Sequence, residues 1–265
     1  MTAACAHQRI DGLVFEVSGA PELPTLVFGN SLYCTTDMWR QTAAAMAQRF
    51  RVVRWDWRGH GRSASNETSC CITDLAEALA SALDILGIDR MIYVGSSIGG
   101  MLGMALASQC PDRLRGLVLC NSTPWVAEKD KWDARIAQAR TAGLHSLARG
   151  TMDRWMPASF QAERPYEHST LIEAATQVHP GSYVTLCEAV RNADLRAACT
   201  AIRTPTQVIG SSLDVMPLDE AEKLAGMIPD ARLRVLPDSG HLPSVDDPVG
   251  FVQTLSSFLD ACPKD

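Results

Sequence analysis

The sequence predicts an α/β chain, with a doubly wound, mostly parallel sheet and a separate helical cap. Three observations carry this. Short β-branched runs alternate with helical patterns along most of the chain, as strand–helix alternation does when a parallel sheet is covered on both faces. The alternation breaks between roughly Trp125 and Thr200, where only helical spacing is found. The length of 265 residues, 46% of them apolar, suits one large domain or a domain with an insertion, and is enough to bury a sizeable core. We therefore expect a core of residues 1–124 and 201–265, interrupted by a cap of residues 125–200.

The expected strands are LVFEV (13–17), TLVFG (25–29), RVVRW (51–55), MIYVG (91–95), GLVLC (116–120), TQVIG (206–210) and RLRVL (232–236). Between Thr73 and Gly87 the leucines 75, 79, 83 and 86 fall at helical spacing, with Thr73 as the expected cap and Gly87 as the stop. In the cap, Trp132 and Ile136 stand four apart, and Leu144, Ala148, Met152 and Trp155 continue a helical stripe. No internal repeat or low-complexity segment interrupts the pattern.

The composition argues against several function classes. A net charge of −6 with scattered Lys and Arg lacks the footprint of a nucleic-acid binder. No apolar run reaches the roughly 18 residues of a membrane helix. The start of the chain lacks the basic-then-apolar layout of a signal peptide. Nine cysteines (5, 34, 70, 71, 110, 120, 187, 199 and 262) form no C-x-x-C pair, and several lie in apolar runs. We expect reduced, mostly buried thiols in a cytoplasmic protein, a monomer or small homo-oligomer.

Chemistry concentrates in "YVGSSIGGML". Gly95-Ser96-Ser97-Ile98-Gly99 fits G-x-S-x-G with Ser97 at its centre, an apolar strand before it and a small-residue helix after it. Such a tight strand-to-helix turn strains its central residue, needs glycine where backbones approach, and exposes a nucleophile at the carboxyl edge of the sheet. The Ile98 N–H would sit at a helix N-terminus, where negative charge is stabilised. The competing reading is a Gly/Ser turn. A phosphate loop is disfavoured, since no Lys completes it and the spacing is not G-x-G-x-x-G.

A serine needs a base. Among six histidines, His241 lies in "LPDSGHLPSVDDP", a polar loop after the last strand, where such loops stand above the nucleophile. His60 looks like a turn residue, and His7, His145, His168 and His179 like surface or cap residues. Asp214 is the one carboxylate of "SSLDVMP", and the order Ser–acid–His matches this architecture. It would hold the imidazole's tautomer and stabilise the imidazolium; the competing reading is a helix-capping aspartate. A second oxyanion donor would come from "FGNSLYCTTDMW", with Leu32 as the candidate.

With these residues in place the chain resembles the α/β-hydrolase fold, and within it the 3-oxoadipate enol-lactonases of aromatic-acid catabolism and their esterase relatives. The segments GNSLYCTTDMW, FRVVRWDWRGHGRS, LDILGIDRMIYVGSSIGGMLGMALA, PDRLRGLVLCNSTPW and GSYVTLCEAVRNADLR carry the resemblance over nearly the whole chain. It implies a cap inserted after the sixth strand and a triad of Ser97, Asp214 and His241. It also implies oxyanion N–H groups from Leu32 and Ile98, a small ester or lactone substrate, and neither metal nor organic cofactor. In the family pattern the acid stands at the position of Leu213; here it comes one place late. Tyr33 replaces a small residue beside the oxyanion donor. "WDWRGHG" is similar to a segment of cofactor-free dioxygenases of this fold, which cleave heteroaromatics such as 3-hydroxy-4-quinolones; these carry an acid after the strand before the cap, where this chain has Asn121. A slow-turnover ligand receptor is a further alternative. Tyr33, Trp125, Trp132, Met152 and Trp155 are candidates to line the pocket, against simple cap packing. Arg135, Arg154, Arg191 and Arg196 are candidates to meet a substrate carboxylate.

Overall fold

Eight strands form one sheet in the computed structural model, which describes residues 6–262. They are β1 (Ala6–Ile10), β2 (Leu13–Ser18), β3 (Thr25–Gly29), β4 (Arg51–Trp55), β5 (Met91–Ser96), β6 (Leu114–Cys120), β7 (Thr206–Ser211) and β8 (Arg232–Leu236). The spatial order is β1-β2-β4-β3-β5-β6-β7-β8. The β1–β2 and β2–β4 pairs are antiparallel and the remaining pairs parallel. The central strands read as continuous apolar runs because both sheet faces are covered; every residue of β3, β5 and β7 is buried.

Helices α1 (Arg40–Met46), α2 (Ile72–Ile85) and α3 (Ile98–Gln109) follow β3, β4 and β5. Six helices lie between β6 and β7: α4 (Lys129–Ala142), α5 (His145–Trp155), α6 (Ala158–Glu163), α7 (Pro165–Thr176), α8 (Pro180–Asn192) and α9 (Arg196–Ala201). The chain finishes with α10 (Leu218–Met227), α11 (Pro243–Asp246) and α12 (Pro248–Ala261). No helix of the described residues is long and apolar enough to cross a membrane. Where the inserted helices leave and rejoin the sheet, Trp125 and Asp194 form an isolated antiparallel bridge, and the Leu195 N–H donates to the Pro124 carbonyl at 2.8 Å.

Three points differ from the expectation. The strand β1 was not expected, because four of its five residues face solvent and its sequence shows no apolar alternation. Helix α2 begins before Thr73: Cys71 holds the cap position and its N–H donates to Asp74 Oδ2 at 2.8 Å. Its buried stripe of Ile72, Ala76, Leu79 and Leu83 omits Leu75, which is only half-buried. The described cysteines are free and mostly buried as expected, Cys70, Cys71 and Cys110 being the exceptions; Cys5 lies outside the described residues.

Candidate active site

The carboxyl ends of β3, β5, β6 and β7 converge at one edge of the sheet, where ligands of open parallel sheets bind. Ser97 stands there between β5 and α3, with φ 56° and ψ −119°. This left-handed backbone is rare for a side chain other than glycine. Packing enforces it. A Cβ on Gly95 would lie 2.2 Å from the Gly99 carbonyl oxygen, and a Cβ on Gly99 would lie 2.2 Å from that of Gly29. The Ser97 N–H donates to the Cys120 carbonyl at 2.9 Å, and the Ser97 carbonyl accepts from the Ser122 hydroxyl at 2.7 Å. Strand β6 thus pins the turn from behind.

His241 and Asp214 meet although their loops are separate in sequence. Nδ1 of His241 lies 2.7 Å from Oδ1 of Asp214. Both side chains are enclosed, 6% and 2% exposed. The other imidazole nitrogen, Nε2, is buried and has no hydrogen-bond partner among the described residues. The acid's late position is absorbed by its loop: Leu213 turns half out to solvent, and its N–H donates to the Ser239 carbonyl at 2.9 Å. His241 is held from the inserted helices as well. Its N–H donates to the Trp155 carbonyl at 2.8 Å, and the two rings lie 4.3 Å apart between centroids.

Ser97 and His241 open into one cavity of about 450 Å³, which Leu32 and Ile98 also line. The loop bearing Leu32 is fixed by Asn30, which donates to the Trp55 carbonyl at 2.8 Å and accepts from Trp39 Nε1 at 2.9 Å. Trp57 Nε1 donates to the Asn30 carbonyl at 3.0 Å and so anchors the same loop. The second serine of the turn, Ser96, is buried with its hydroxyl 3.0 Å from that of Ser31; it ties the loop to the turn and does not line the cavity.

Comparison with known proteins bears out the fold. Residues 24–149 match the α/β hydrolase fold family. The chain is 30% identical over 248 residues to 3-oxoadipate enol-lactonase 2 of Acinetobacter baylyi, covering 93% of this chain and 92% of the relative. It is also 30% identical to a Caulobacter protein named for carbamate hydrolysis, covering 94% and 96%. The crystal structure of the enol-lactonase from Burkholderia xenovorans LB400 superposes with a TM-score of 0.92 at 30% identity, covering 96% of this chain and all of that one. The chain belongs to the α/β hydrolases.

The segment between β6 and β7 supplies part of the wall of this hydrolase's cavity. Trp125, Trp132 and Trp155 line it. Two expected wall residues do not. Met152 is buried on the packed face of α5. Tyr33, in left-handed backbone at φ 65°, turns its ring from the cavity onto Tyr183, 4.4 Å between centroids. Aromatic content marked these residues in the sequence, but not which way each ring would turn.

Of the four candidate arginines, Arg135 alone lines the cavity. Arg191 pairs with Asp133 and Arg196 with Asp194. Arg135 donates to the Tyr183 hydroxyl, and to Thr151 Oγ1 at 3.0 Å. Its guanidinium also faces the rings of Tyr33, Trp132 and Tyr183. Arg135 is thus a half-buried cation on the cavity wall, held by hydroxyls and ring faces. Glu128, Lys131 and Glu220 line the same cavity.

Proposed function

We propose that this hydrolase cleaves a small carboxylic ester of the lactone type, carrying a carboxylate, through an acyl-Ser97 intermediate. The carrying observation is that Ser97, the Asp214-bound His241, Leu32 and Ile98 converge on one cavity. His241 Nε2 takes the Ser97 proton as Oγ attacks the substrate carbonyl. The imidazolium is stabilised by Asp214 through Nδ1. The N–H groups of Leu32 and Ile98 receive the oxyanion, Ile98 with the added field of the α3 N-terminus. His241 returns the proton to the leaving oxygen, which in a lactone stays tethered to the acyl group. It then activates water, and hydrolysis of the acyl-enzyme frees the acid and Ser97. Arg135 supports the substrate's carboxylate, since planar, bidentate pairing with carboxylates is what a guanidinium does best.

The likeness to enol-lactonases supports the lactone class. The dioxygenase alternative finds no support at Asn121: its amide donates to backbone carbonyls, which a carboxylate cannot do.

The test is a panel of p-nitrophenyl acetate, a carboxylate-bearing enol-lactone, an aryl carbamate and a 3-hydroxy-4-quinolone under oxygen. Wild type should turn over the ester and favour the lactone, and Ser97→Ala should abolish both. Undiminished lactone turnover in Ser97→Ala would sink the proposal; oxygen uptake with the quinolone would replace it.

A further inference from the structure

Asn121 follows β6 directly, buried, in left-handed backbone at φ 43°. Its N–H donates to the Ile209 carbonyl on β7 at 2.9 Å. Its side-chain amide reaches three acceptors: Ser211 Oγ at 3.0 Å, the Gly240 carbonyl at 3.0 Å and the His241 carbonyl at 3.1 Å. Two hydrogens serve three oxygens, so one bond is shared. Ser211 ends β7 and starts the acid loop, where the Asp214 N–H donates to its carbonyl at 3.3 Å. One neutral amide therefore touches the root of the acid loop and the backbone of the base itself.

We propose that Asn121 is a positioning residue, holding the acid loop and the base loop in the register where Asp214 meets His241. This rests on His241 being the general base. The base loop's donors are already taken elsewhere: the Gly240 N–H donates to Asp246 Oδ2 at 2.8 Å and the His241 N–H to Trp155. Its two carbonyls are left to Asn121. Only a donor can serve there. An acid of the same shape, once ionised, would face those oxygens near Asp214 and Asp246, whose carboxylates both act on the adjacent Cys120 thiol. The register matters because Asp214 comes one place late, so sequence spacing alone does not align the pair.

The experiment compares Asn121→Gly and Asn121→Asp with wild type on p-nitrophenyl acetate from about pH 6 to about pH 8, with Ser97→Ala and His241→Ala as controls. Glycine removes the amide without straining the left-handed backbone, and aspartate keeps the shape. Both should lower kcat about 10- to 100-fold with KM within about twofold, the effect of misplacing a reacting group by a fraction of an ångström. The activity ratio of Asn121→Asp to wild type should rise as pH falls, because the protonated acid regains one donor; that of Asn121→Gly should stay flat. Asp214, His241, Asp246 and Cys120 face this position in all of these proteins. Should the glycine variant not fold, the slope of the aspartate ratio decides. A kcat within about twofold of wild type in either variant, or a flat aspartate ratio, would overturn the proposal. Wild-type turnover in the two controls would overturn the general-base reading with it; dead controls beside active Asn121 variants would overturn this inference alone.

Discussion

Replacing Asp214 with Asn should cost the enzyme between about 10- and 10⁴-fold in kcat, with KM nearly unchanged. The lower bound comes from the bond itself. Asp214 Oδ1 and His241 Nδ1 lie 2.7 Å apart, and both side chains are enclosed. A hydrogen bond to a charged partner contributes about 1.5–3 kcal/mol, and each 1.36 kcal/mol is about tenfold in rate. The upper bound comes from the tautomer. If the new amide turns its NH₂ toward Nδ1, the imidazole must carry its proton on Nε2 and cannot accept one from Ser97. If it turns its oxygen there, its NH₂ enters the position of Asp214 Oδ2, which has no partner among the described residues. Burst and steady-state release of p-nitrophenol from the acetate ester, with thermal melts as a folding check, measure the loss. A variant within about threefold of wild type would refute the triad wiring. Adding Leu213→Asp to Asp214→Asn should not restore the rate, because the Leu213 side chain is turned half out to solvent.

Three further outcomes follow from named contacts. Arg135→Gln should lower kcat/KM about 10- to 100-fold for a carboxylate-bearing lactone and less than about threefold for p-nitrophenyl acetate, measured as the ratio of the two. Gly240→Ala should lower both kcat and Tm, by about 1–3 kcal/mol in stability, because the added Cβ would lie 2.2 Å from the Trp155 carbonyl oxygen and must displace either the base loop or α5. Asp56 is pushed by burial from 3.8 to about 6. The native state therefore binds more protons than the unfolded chain between those values, so stability should fall as pH rises through this window and level off above it. Urea titrations of wild type and Asp56→Asn should show the wild type's relative stability dropping by about 3 kcal/mol across the window.

The serine turn was legible because its requirements are local. Gly95, Ser97 and Gly99 each answer a steric demand made within five residues or by the adjoining strand. The buried strands were legible for a similar reason: continuous apolar runs in β3, β5 and β7 announce a sheet covered on both faces. What stayed hidden depends on distant partners. The exposed sequence AHQRI becomes β1 only through its antiparallel ladder with β2. Tyr33 leaves the cavity because Tyr183, far along the chain, offers it a stacking face. Asn121 looks like a loop residue until Ser211, Gly240 and His241 are brought around it.

The acid shows how these two kinds of determination differ. Ser97 has no slack, since a Cβ at either flanking glycine would strike backbone. Asp214 has slack, because hydrogen bonds between loops set its place. Leu213 is tied to Ser239, Asp214 to Ser211, and Asp238 to the Ser212 hydroxyl. A loop tied at these points can offer its acid from the next residue and still deliver a carboxylate oxygen 2.7 Å from the imidazole. The nucleophile can therefore be found by spacing, whereas the acid must be found by asking which carboxylate the loop's own bonds present to the base.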